Sequence, residues 1–231
     1  MKIGIIGAMK CETDALKAML EDSVIETVSG VEYSIGKLFG KDVVLATCGI
    51  GKVFAAICAQ TMILRYSPDI IINTGVAGTL TGKLSVCDVA VSKDVVQHDM
   101  DTSAIGDPVG LISGINIVNI PASDRLCSMV EVAAKSIGLN TLAGTIASGD
   151  VFVADEAKKT YIREKFGAIA CEMEGASIGH VCYVNNVPFV VIRAISDGGD
   201  GDAAMSYDEF APIAAENSVK IVCEIIKEHS L

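Results

Sequence analysis

Short β-rich runs alternate with longer helical patterns along nearly the whole chain. This alternation limits the fold more than any other feature of the sequence. "KIGIIGA" (residues 2–8) reads as a strand, followed by a helix through "TDALKAML" (13–20). "EYSIGKLFG" and "KDVVLATCG" form a hairpin with its turn near "FGKD" (39–42). "VFAAICAQTMILRY" (53–66) has helical periodicity, "DIIINTG" (69–75) is a buried strand ending in Gly75, and "SVCDVAVSKDVVQ" (85–97) is a long strand region. A helix from Ser123, its candidate cap, closes at Gly138. Strand "NTLAGTIASGD", helix "DEAKKTYIREKF", strand "AIACE", helix "GASIGHVCYV", strand "VPFVVIRAISD" and a long helix from Tyr207 complete the chain. Units alternating in this way build a mostly parallel or mixed central sheet flanked by helices.

The polar breaks follow strands: "GAMKCE" (7–12), "NTGVAG" (73–78), "SGDVF" (148–152), "EME" (172–174) and "SDGGDGD" (196–202). Ligands of α/β folds sit at the carboxyl ends of strands, so these five breaks are expected to converge on one rim. The 231 residues show no linker, repeat or low-complexity segment, which implies one domain over residues 1–231.

Composition excludes several function classes. A net charge of −11 makes nucleic acid and anionic membrane surfaces poor partners. No run of about 18 apolar residues offers a membrane span. The apolar start is cut short by Lys10, Glu12 and Asp14, so it reads as a strand and a turn rather than a signal peptide. The eight cysteines (11, 48, 58, 87, 127, 171, 182, 223) form no CxxC pair and mostly sit in apolar surroundings, as free thiols of a reducing cytoplasm do. His98, His180 and His229 lack metal-ligand spacing, and neither a metal nor a cofactor is implied.

The carboxylates carry more information. Glu172 and Glu174 bracket Met173 within an apolar, small-residue run, and a buried charge is normally paired, neutralised or functional. One suits a structural role, pairing with Arg193 or backbone amides. The other could accept hydrogen bonds from the two vicinal hydroxyls of a ribose. Glu12 is either a first-turn residue favoured by the helix dipole or a catalytic base. Asp197 is either a turn residue or an acid whose pKa is raised at an apolar strand end. Arg193, inside an apolar strand, is a buried ion-pair partner or a residue orienting Glu12 or a water. "GIGK" (49–52) and "GVAG" (75–78) read as short glycine turns, and the first strand-to-helix turn lacks the full GxGxxG pattern of dinucleotide sites.

Together "KIGIIGAMKCE", "GIGKV", "DIIINTGVAG", "SGDVF", "CEMEGASIGHVC", "VPFVVIRAISD" and "SYDEF" resemble the 5′-methylthioadenosine/S-adenosylhomocysteine nucleosidases of the purine nucleoside phosphorylase-like superfamily. The segments run from residue 2 to residue 210 in family order. The resemblance implies a three-layer α/β/α fold with a mixed central sheet, and hydrolysis of the bond between adenine and a 5′-thio-substituted ribose. It implies Glu12 as the base that activates water and Asp197 as the acid toward adenine N7. Glu174 would bind the ribose hydroxyls with Met173 beneath the sugar. Phe152 would stack on adenine and the Val153 backbone would read its edge. Gly78, Ile50, Arg193 and Tyr207 would complete the pocket. It also implies a homodimer in which residues 101–114 of a neighbouring subunit approach the 5′ pocket. That loop is usually richer in aromatics; here Ile105, Asp107 and Val109 stand in, and position 76 is valine where the family often has serine.

Phosphorolysis needs a phosphate beside C1′, usually gripped by arginine forks. Of the four arginines (65, 125, 163, 193), only Arg193 is placed near the rim, and Glu12 would repel a phosphate. Water is therefore the expected nucleophile. The competing readings are a nucleoside phosphorylase, a hydrolase of another adenosine-like nucleoside such as aminodeoxyfutalosine, a non-catalytic nucleoside-binding domain and a dinucleotide-binding oxidoreductase.

Overall fold

A computed structural model describes residues 1–197 and 203–227, with residues 203–208 described by their backbone alone. The first half of the chain runs β1 (Lys2–Gly7), α1 (Lys10–Ala18), β2 (Glu21–Val28), β3 (Val31–Leu38), β4 (Lys41–Thr47), α2 (Lys52–Tyr66), β5 (Ile70–Thr79) and β6 (Val89–Gln97). The second half runs β7 (Ile120–Pro121), α3 (Asp124–Ser136), β8 (Thr141–Ser148), α4 (Glu156–Phe166), β9 (Ala168–Glu172), α5 (Gly175–Val184), β10 (Phe189–Asp197) and α6 (Ala203–Lys227). A short 3₁₀ turn covers Ser103–Ile105.

All the strands belong to one mixed sheet. β4, β1, β5 and β10 are parallel, while β3 and β2 add antiparallel hairpin strands at one edge. β6, β8 and β9 are parallel to one another, and β6 pairs antiparallel with β10. β9 meets the end of β5, so β10, β6, β8, β9 and β5 close into a ring.

Period-two alternation sends side chains to opposite faces of this sheet. Ile3 and Ile5 of β1 and Val190 and Ile192 of β10 pack with Leu16 of α1, Val130 of α3 and Val222 and Ile226 of α6. Ile6, Val44 and Val191 join the other face with Ala55, Ala59 and Met62 of α2 and Ile178 and Cys182 of α5. Each Leu or Ile fully removed from water contributes roughly 1.5–3 kcal/mol. These two cores hold the strand ends in fixed positions.

Local chemistry explains the boundaries. The β3–β4 hairpin turns at Phe39 and Gly40, both with positive φ (50° and 75°), as a two-residue turn of matching twist requires. Ser123 Oγ accepts the N–H of Leu126 at 3.4 Å, capping α3 as expected. Asp155 caps α4 through Lys158 N at 2.8 Å.

Two expectations are corrected. The buried strand does not end at Gly75. β5 continues to Thr79, so residues 75–78 are strand rather than turn, held by pairing with β10 along that length. The strand region from Ser85 begins only at Val89, because Asp88 Oδ2 takes the N–H of Ser85 and bends the chain. β2, unforeseen in the sequence, is an edge strand whose Val24 and Ile25 are exposed, so it lacks the burial pattern of the other strands. Among the described residues, no helix is long and apolar enough to cross a membrane.

Candidate active site

The site arises from a gap in strand pairing. β10 takes one edge of β5 from Ile71 to Gly78. On the opposite edge β1 pairs with Ile70–Asn73, and β9 pairs only with Gly78 and Thr79. Among the described residues, 74–77 therefore have no strand partner on that side. The ends of β1, β9 and β10 gather around this opening with the loops after β4 and β8. Four of the polar breaks, and Ser196 and Asp197 of the fifth, meet at a cavity of about 430 Å³, a size suited to a small ligand; residues 198–202 of the fifth lie outside the described residues.

Glu12, on the first turn of α1, fills one side of the opening. Its Oε2 accepts the backbone N–H groups of Ala8 (2.7 Å) and Met9 (2.9 Å), and its Oε1 accepts that of Val76 (3.1 Å). The residue is buried, and burial raises its pKa against the opposing pull of Arg193 and of the three amides. Glu12 ties down the start of α1 and its carboxyl lines the cavity. Gly75 leaves the space these groups use, since a Cβ there would lie 2.6 Å from Glu12 Oε1 and 2.9 Å from Arg193 Nη1 and displace them.

Two glutamates two residues apart have different fates. Glu172, at the end of β9, is bound by Arg193 Nε and Nη2, by Ser148 Oγ and by the N–H groups of Glu174 and Gly175. Burial opposes its charge, yet Arg193, Ser148 and the Gly175 amide together hold its pKa low. Glu172 is thus the charged anchor of the junction. Glu174 sits just before α5. Its Oε1 accepts Gly51 N–H at 2.9 Å, and its Oε2 lies 3.7 Å from Arg193 Nη2. Burial, and then the neighbouring Glu172 charge, pushes its pKa up to about 7.

Asp197 closes the opposite side at the end of β10. It is buried, its Oδ1 accepts Ser196 Oγ at 3.0 Å, and burial raises its pKa against Ser196 and the charge of Lys159. A Cβ at residue 78 would come within 2.7 Å of Asp197 Oδ2, so any larger residue there would push that carboxyl from its place.

Ile50, Gly78, Phe152, Met173 and Glu174 line the cavity with Glu12 and Asp197. Val153 lines a smaller adjoining recess with Phe152. Arg193 departs from the expected rim position: it lies beneath the carboxylates, 1% exposed and outside the lining, with Nη2 on Asn73 Oδ1 at 2.7 Å. The side chain of Tyr207 lies outside the described residues. Sequence reasoning missed Ala8, Met9, Ala77, Cys171 and Ser196 in the wall, and the amide of Val76. The first two had a readable signal, since the N–H groups beside a helix start need acceptors. Cys171 is no nucleophile, because burial pushes its thiol up to about 12. Among the described residues, no cluster of His, Cys, Asp or Glu could hold a metal ion, and no lysine or arginine lines the cavity.

Residues 2–227 match the model of the phosphorylase superfamily. The chain is 39% identical over 230 residues to the 5′-methylthioadenosine/S-adenosylhomocysteine nucleosidase of Shewanella halifaxensis, covering 99% of this chain and 100% of that protein. The crystal structure of the corresponding Neisseria meningitidis nucleosidase, in complex with methylthio-immucillin-A, superposes with a TM-score of 0.94 at 37% identity, covering 98% of both chains. A futalosine hydrolase of Helicobacter pylori superposes with a TM-score of 0.93 at 35% identity, covering 98% of this chain and 97% of that one.

Proposed function

We propose a hydrolytic mechanism for this chain, which belongs to the phosphorylase superfamily and within it to the 5′-methylthioadenosine/S-adenosylhomocysteine nucleosidases. The enzyme cleaves the N-glycosidic bond of 5′-methylthioadenosine and S-adenosylhomocysteine. It releases adenine and a 5′-thio-substituted ribose in methionine salvage.

Glu12 takes a proton from water as that water attacks C1′. Asp197 gives a proton to adenine N7, so the base leaves neutral. Each proton transfer is worth about 10²–10⁴-fold. Glu174 accepts hydrogen bonds from the ribose 2′- and 3′-hydroxyls, with Met173 beneath the sugar and Phe152 stacked on the purine. The Val153 backbone reads the purine edge, and Gly78 and Ile50 complete the wall. Arg193 acts from below by keeping Glu172 charged and Glu12 and Glu174 oriented.

The observation that carries this reading is the placement of two buried carboxyls against one strand. Glu12 touches β5 at Val76 and Asp197 touches it at Gly78. Both carboxyls face one cavity, as an acid and a base acting on opposite sides of a scissile bond require. Among the described residues the cavity lining offers no cation to an incoming phosphate, which supports water as the nucleophile. Incubating 5′-methylthioadenosine with and without inorganic phosphate tests this. Free sugar formed without phosphate supports hydrolysis, and strict phosphate dependence overturns it.

The likeness to a futalosine hydrolase supports a second reading, in which nucleosides with other 5′ substituents, 5′-deoxyadenosine among them, are also cut. Adenine release across a 5′-substituent series separates the two. We further propose a cytoplasmic homodimer. Val53, Phe54 and Ile57 at the start of α2, soon after the cavity-lining Ile50 in sequence, expose apolar side chains, and Ile105 is 82% exposed on the 101–114 loop. A partner's copy of that loop would then border the 5′ pocket.

A further inference from the structure

The end of β6 grips two loops of the cavity wall at once. Asp99 Oδ1 accepts from Lys52 Nζ at 2.6 Å, and its Oδ2 accepts the backbone N–H of Asp150 at 2.9 Å. Asp150 Oδ1 in turn accepts the backbone N–H of Lys52 at 2.7 Å. These three bonds make a closed circuit between the loop after β4 and the loop after β8. Gln97 Oε1 takes a second bond from Lys52 Nζ at 3.3 Å, and Ser177 Oγ donates to the Lys52 carbonyl at 2.7 Å.

Neither Lys52 nor Asp99 lines the cavity. Each is bonded to a segment that does. Lys52 follows Ile50 and Gly51, and the Gly51 N–H is the one held by Glu174. Asp150 precedes Phe152 by two residues. Ile50 and Phe152 are 54% and 46% exposed, so packing alone leaves these two walls weakly held. The circuit is better shielded, with the Lys52 and Asp99 side chains 19% and 27% exposed.

We propose that Lys52 and Asp99 are positioning residues for nucleoside binding: their ion pair sets the gap between the Ile50 turn and the Phe152 loop, and with it the register of the Gly51–Glu174 bond. This rests on the reading of Phe152 as the purine contact and Glu174 as the ribose contact. The clasp touches neither reacting group, so it governs affinity rather than bond cleavage.

Steady-state kinetics with 5′-methylthioadenosine, together with ligand-free amide hydrogen exchange, tests the proposal. Lys52→Met and Asp99→Ala are each expected to raise KM about ten-fold or more while kcat moves less than about threefold. The double variant should be little worse than either single one, because either change opens the circuit. Lys52→Arg, which keeps the charge, should recover most of the affinity. Asp99→Asn serves where the alanine variant does not fold. Unchanged KM, a fall in kcat at constant KM, or additive effects in the double variant would overturn the proposal. Without ligand, each substitution should speed exchange in both segments, 49–53 and 149–153; acceleration confined to the substituted residue's own segment would also overturn it. If the unaltered protein proves inactive, the hydrolytic reading fails, and the exchange experiment still decides the clasp.

Discussion

Glu12 Oε1 accepts the backbone N–H of Val76 at 3.1 Å, across a stretch of β5 left without a strand neighbour on that side. The fold thereby supplies a carboxyl held by three amides in a buried opening, with the Arg193 guanidinium close enough to temper its raised pKa. A second carboxyl, Asp197, meets the same strand two residues further on.

Glu12→Gln replaces one acceptor oxygen with a donor. It removes the base and turns an N–H against another N–H. Turnover should fall by at least about 10²-fold while circular dichroism remains native. Near-normal turnover in the variant would reject Glu12 as the base.

Asp197→Asn should cost a similar factor, but only for substrates that need protonation at N7. A nucleoside already methylated, and so positively charged, at N7 has a leaving group that needs no acid. The variant should cleave it at close to the unaltered enzyme's rate. An equal loss on both substrates would assign Asp197 to something other than proton donation.

Glu174 holds its proton in the folded protein up to about pH 7, because of burial and the Glu172 charge. The unfolded chain releases that proton near the ordinary glutamate value of 4.5. The stability this contributes is complete below the unfolded value and is lost as pH rises through about 7. Glu12 and Asp197, also raised, add slopes of the same sign. Calorimetry of the ligand-free protein should show Tm falling over this window, and Glu174→Gln should flatten the fall. Identical slopes would remove Glu174 as a source.

Arg193 and Glu172 form a buried pair with side chains 1% and 2% exposed. Arg193→Met leaves the Glu172 charge without its cation, and should destabilise the fold by about 3–5 kcal/mol in urea unfolding. Adding Glu172→Gln should restore part of that loss. A loss below about 1 kcal/mol in the single variant would show that the amides and Ser148 suffice for Glu172.

Much of the fold was legible because its strands are buried on both faces and read as continuous apolar runs, as in "KIGIIGA" and "VPFVVIRAISD". β2 was not, since an edge strand with Val24 and Ile25 in solvent carries no such pattern. The extension of β5 past Gly75 depends on pairing with β10, which local glycine content cannot reveal. Within the site, side chains at strand ends were readable, whereas the Val76 amide and the depth of Arg193 are properties of tertiary packing. The clasp of Lys52 with Asp99 joins residues 47 positions apart and left no local trace.

The most direct test is the anomeric form of the sugar at the moment of release, followed by proton NMR in phosphate-free buffer. Attack by water on the face opposite the departing adenine predicts free 5-thio-substituted ribose appearing first as the α-anomer, before mutarotation. Initial release of the β-anomer, or no sugar at all until phosphate is added, would contradict a water activated by Glu12 opposite an acid at Asp197.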